Sequence, residues 1–62
     1  MTGLPPDGAI VDTDRGPFRA IIVHPGIEPG IAVLRGWYLD RELLQEEQIT
    51  VALDDISVLE LG

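Results

Sequence analysis

The sequence predicts an all-β fold, a small five-stranded barrel or sandwich held by tight Pro/Gly turns. Three observations predict it. Short runs rich in β-branched residues recur along the 62 residues, each too short for a typical helix. Pro and Gly clusters separate them. No segment carries a long helical pattern.

The chain reads as one domain, 1–62, with residues 1–8 as an extended lead-in containing the turn-forming Pro5-Pro6-Asp7-Gly8. Ala9-Ile10-Val11-Asp12-Thr13 is a short β-prone stretch, and Asp14-Arg15-Gly16-Pro17 a second turn. Phe18-Arg19-Ala20-Ile21-Ile22-Val23-His24 is the strongest strand signal. Pro-Gly then occurs twice, at Pro25-Gly26 and Pro29-Gly30, which predicts two successive type II turns. A third strand spans Ile31 to Leu39, with Gly36 as its expected bend or bulge.

Residues 40–48 admit two forms. Asp40 can cap a two-turn helix, or the segment can be a long polar connection with Leu43 and Leu44 tucked inward. The connection is favoured, because so short a helix has little stability of its own. Ile49-Thr50-Val51-Ala52-Leu53 alternates, with Ile49, Val51 and Leu53 on one face. Asp54-Asp55 breaks it, and Ile56 to Leu61 forms a fifth strand. Closure of these strands into a barrel would remove exposed edges.

Composition narrows the function classes. A chain this short buries only about 60% of its unfolded surface, so a staple is commonly needed. There is no cysteine and one histidine, His24; disulfides and thiolate metal sites are excluded, and no cofactor or metal is expected. Self-association is the remaining staple. Apolar residues make up 45% of the chain and mean hydropathy is +0.20, more apolar surface than one small core can hide, which points to an interaction patch. Net charge is −7, with eleven acids against Arg15, Arg19, Arg35 and Arg41. Nucleic acids and anionic membranes are therefore disfavoured partners. No apolar run reaches a membrane span. The first residues hold no signal-peptide pattern, and a cytoplasmic location is expected.

The last fifteen residues carry a resemblance. A strand, an acidic single-turn break at Asp54-Asp55 and a closing Val58-Leu59-Glu60-Leu61-Gly62 look like the final strand, 3₁₀ turn and terminal strand of SH3-like barrels. More widely, Val11-Asp12, Asp14-Arg15, Pro17 with Arg19 and Ile21, Pro25, Gly30 with Ala32 and Leu34, Leu53-Asp54 and Leu61-Gly62 are spaced as in one family. The chain resembles the C-terminal dimerisation domain of the plasmid partition and repressor protein KorB. That resemblance implies an SH3-like barrel that dimerises and does not read DNA. The chain departs from a repressor in having no helix-turn-helix pattern. Its Met1 suggests a complete small protein.

Catalytic motifs are weak. Asp12-Thr13-Asp14-Arg15-Gly16 lacks the later acidic ligands of a calcium loop and reads as an Asx-type turn. Asp54 and Asp55 are adjacent on a turn, where their environments are not split as acid/base pairs require. His24 stands at a strand end, and Ser57, the only serine, has no nucleophile-elbow pattern around it. No enzyme activity is expected. Trp37-Tyr38 is the binding candidate: one ring should face inward and one outward. The expected interface comprises Trp37, Tyr38, Arg35, Ile21, Val23 and Val33, with the apolar terminal strand. The alternative is Trp37 in the core and Tyr38 merely a surface residue.

The leading expectation is a non-catalytic module acting as a homodimer or other homo-oligomer, or binding a protein partner. A second reading is an acidic phage- or plasmid-type accessory protein that inhibits a basic partner by DNA mimicry. A third is a small oligomeric enzyme with its site at a symmetry axis.

Overall fold

A computed structural model describes residues 3–62. Five antiparallel strands form one sheet: β1 (Ala9–Thr13), β2 (Gly16–Pro25), β3 (Ile31–Tyr38), β4 (Glu47–Ala52) and β5 (Ser57–Glu60). The only helical element among the described residues is a 3₁₀ turn, Leu53–Asp55. The spatial order is β4-β3-β2-β1-β5, consistent with an SH3-like barrel. The sheet does not close, however. β4 and β5 remain unpaired edges, so the expected removal of edges by closure does not occur.

Turn chemistry explains the connections. The β1–β2 loop is Asp14-Arg15, with Thr13 paired to Gly16. Its closure differs from the expected Asx-type turn. The Thr13 hydroxyl donates to the Gly16 carbonyl at 2.9 Å and accepts the Arg15 amide at 3.1 Å, a Ser/Thr-type turn. The β2–β3 connection contains one type II turn and not two. The Ile31 amide donates to the Glu28 carbonyl at 3.2 Å, with Gly30 at φ +82°, the position that favours glycine. The earlier Pro25-Gly26 belongs to the ladder: Pro25 ends β2, and the Gly26 amide bonds the Ile31 carbonyl at 2.7 Å.

The described part of the lead-in, residues 3–8, is fastened to β2, and residues 1–2 lie outside the described residues. Pro5 is buried, the Gly8 amide donates to the Ala20 carbonyl at 2.7 Å, and Asp7 Oδ1 accepts the Val23 amide at 3.0 Å. Asp7 thus satisfies a backbone donor of β2 beyond the end of β1. Residues 39–46 form the turn-and-coil connection between β3 and β4. Leu43 and Leu44 do not tuck inward; they are 74% and 55% exposed.

The core is small and aliphatic. Ala9, Val11, Phe18, Ala20, Ala32, Leu34, Tyr38 and Leu53 are buried. Val23, Ile49, Val51 and Ile56 pack against this cluster. Ile49, Val51 and Leu53 thus share the core face, as their alternation predicts.

The β2–β3 ladder carries the main irregularity. Ala20 pairs with Gly36, yet Ile22 pairs with Arg35, leaving Ile21 as an extra residue. The bulge is therefore in β2, and Gly36 is its partner, not its site. The backbones meet closely here. A Cβ on Gly36 would overlap the Arg19 carbonyl oxygen and lie 2.9 Å from its carbon. We expect Gly36→Ala to cost about 3 kcal/mol, by overpacking backbone against backbone. Gly30→Ala, with open space around its Cβ, should cost about 1 kcal/mol through its φ alone. Urea unfolding of the two variants measures the difference.

Candidate functional site

β3 has two usable faces. Strand alternation sends Ala32, Leu34, Gly36 and Tyr38 inward, all buried, and Ile31, Val33, Arg35 and Trp37 outward. Antiparallel strands facing water are usually polar on that side. Here three of the four outward residues are apolar.

Neighbouring strands widen this row. Arg35 lies between Ile22 of β2 and Gln48 of β4, Val33 between His24 and Thr50, and Trp37 opposite Arg19. Beyond Ile31, the β2–β3 connection projects a fully exposed Ile27. A shallow, mostly apolar depression of 320 Å³ is lined by Gly26, Ile27, Glu28, Ile31, Val33 and Thr50.

The six expected interface residues divide. Trp37, Val33 and Arg35 share the outer face of β3, with both apolar side chains half-buried. Ile21 is the half-buried bulge residue. Val23 packs against the core opposite Leu34, so it is not on the outer surface. Tyr38 is also interior, only 5% exposed. Its ring meets Phe18 edge-on at 4.9 Å, and the Arg41 guanidinium lies 4.5 Å from its centroid. One aromatic does face in and one out, but the inward one is Tyr38 and not Trp37.

Arg35 Nε and Glu46 Oε2 pair at 3.1 Å, both about half exposed, a geometry that contributes little stability. Arg19 reaches the Gly8 carbonyl at 3.1 Å, so it anchors the lead-in beside Trp37. Sequence reasoning missed Ile22, Ile27 and Ile31 as members of this surface. The available signal was the unbroken Ile31-Ala32-Val33-Leu34 run, which makes both faces of β3 apolar.

The polar groups weighed for catalysis are dispersed. His24 is exposed at the end of β2, and Ser57 is exposed on β5, with β1 between those strands. Asp54 and Asp55 point from the 3₁₀ turn, both exposed. Among the described residues, no three His, Cys, Asp or Glu side chains group as metal ligands, and no helix is long and apolar enough to cross a membrane. The apolar terminal strand is exposed throughout, with Val58, Leu59 and Leu61 at 46%, 58% and 72%.

No protein-family model, curated protein or solved structure matches the chain.

The two aromatics should therefore separate in stability measurements. Tyr38→Ala removes a core ring and should cost about 3 kcal/mol. Trp37→Ala should cost roughly half of that or less, because its ring already contacts solvent. Denaturant midpoints compared at equal slope test this order.

Proposed function

We propose that the protein is a non-catalytic interaction module that self-associates through the outer face of β3. The observation carrying this reading is the apolar row Ile31, Val33 and Trp37 on a face that ordinarily carries polar residues. Ile22 and Ile27 extend it. A second copy supplies the missing cover without a new partner. A two-fold arrangement brings the same row against itself, with Arg35 inside the row between Val33 and Trp37 and Arg19 opposite Trp37. The resemblance to a dimerisation domain of SH3-like type supports the same reading.

Charge supplies an internal check. Two copies together carry 2 × (−7) = −14, so association works against repulsion that salt screens. Self-association should tighten as ionic strength rises. Sedimentation equilibrium over a concentration series should show the native mass rising above that of one chain. Val33→Glu, which puts a carboxylate in the centre of the row, should hold the chain monomeric with unchanged circular dichroism. A native chain that stays monomeric to millimolar concentration overturns the proposal, as does undiminished association of Val33→Glu.

A further inference from the structure

We propose that the free edge of β4 is a strand-addition site for an extended, basic segment of a partner protein. The starting point is the phase of the β3–β4 ladder. Bonded and non-bonded pairs alternate in an antiparallel ladder. The Leu53 amide donates to the Gly30 carbonyl at 2.8 Å, one step beyond the Ile31–Ala52 pair. By that phase Val51, Ile49 and Glu47 bond to β3. The N–H and C=O groups of Gln48, Thr50 and Ala52 then point away from it. Among the described residues, no backbone hydrogen bond outside the ladders reaches these three. They form a row of unpaired donors and acceptors, the template that strand addition uses.

The two sheet edges differ in protection. β5 has four residues and an irregular register against β1 at Ile10/Val11, both of which blunt an edge. β4 has six residues in unbroken register with β3, and neither proline nor lysine. Its one guard is the charge of Glu47. The space beside it is also open. Two adjoining grooves, of 390 and 330 Å³, lie between β4 and the β1–β2 turn and share Thr13, Asp14, Thr50 and Val51.

Charge complementarity selects the occupant. The groove walls carry Asp14, Glu47 and Asp55 against one cation, Arg15. None of these three acids belongs to either ion pair of the described residues. A second copy would bring the same carboxylates into the seam. An extended segment with lysine or arginine at alternate positions would bond its backbone to Gln48, Thr50 and Ala52 and turn its cations toward the acids. This site uses the outward backbone edge of Gln48, Thr50 and Ala52, whereas the outer face of β3 meets Gln48 and Thr50 only as side-chain neighbours at its border.

The test uses the full chain and a ten-residue capped peptide of alternating lysine and valine. Nuclear magnetic resonance should show saturable binding with slowed amide exchange at Gln48, Thr50 and Ala52. Added salt should weaken it, on the order of tenfold across the range where the Debye length falls from about 10 Å to 3 Å. That direction is opposite to the one expected for self-association. Thr50→Pro removes an N–H that faces the free side, a placement edge strands tolerate, and should reduce affinity at least about tenfold through the lost backbone pairing. The Asp14→Asn/Asp55→Asn variant should also bind more weakly, and it decides the matter if Thr50→Pro fails to fold. The proposal is overturned if the three amides gain no protection or if the carboxylate variant binds as tightly as the native chain. It is equally overturned if the same amides become protected by rising protein concentration without peptide, which assigns the edge to a second copy.

Discussion

The meeting of β2 and β3 at Gly36 governs how this small sheet presents its side chains. Only a residue without a Cβ allows the Arg19 carbonyl to come so close to β3, and directly beyond it β2 takes in the extra residue Ile21. A bulge bends a strand and increases its twist. It also shifts the alternation that follows. Before the bulge, Phe18 and Ala20 point inward. A regular strand would continue with Ile22 and His24 in the core. With the extra residue, Val23 packs inward opposite Leu34, while Ile22 and His24 turn outward beside Arg35 and Val33. One inserted residue thus keeps a histidine out of the core and adds an isoleucine to the outer surface.

That surface follows from the scarcity of interior volume. Eight hydrophobic residues fill the core, three of them alanine. Val23, Ile49, Val51 and Ile56 pack against it, and other aliphatic residues sit half-covered on the outer face of β3 or exposed in residues 39–46 and the terminal strand. A partner on the outer face would remove apolar area that the single chain leaves in water. Meanwhile the cations serve local tasks. Arg41 covers the Tyr38 ring and pairs with Asp40, Arg35 pairs with Glu46, and Arg19 holds the lead-in. Among the described residues most of the acids have no such partner, which leaves the seam beside β4 negative.

The strand count and most of the turn positions, though not the expected turn at Pro25-Gly26, were legible because they depend on short-range chemistry. Ala9–Thr13 matches the observed β1, the Gly30 turn requires a positive φ, and the 3₁₀ turn falls at the acidic break after Ala52. The 39–46 connection was also legible, though the exposure of Leu43 and Leu44 was not. Half of the candidate surface was readable: Val33, Arg35 and Trp37 lie together on β3, as strict alternation requires. The same alternation applied to β2 misplaced Val23, because no local feature announces that Ile21 is supernumerary.

What the sequence determined by itself is the periodic content: five short strands, most of their breaks and a net charge of −7. These follow from single residues and their near neighbours. Tertiary structure alone decided which aromatic fills the core, where the register slips and which edges stay open. Tyr38 and Trp37 are adjacent and both suited to either face. The choice falls to Tyr38 because it stands opposite Phe18 across the ladder, a partnership between residues twenty positions apart that no local pattern encodes.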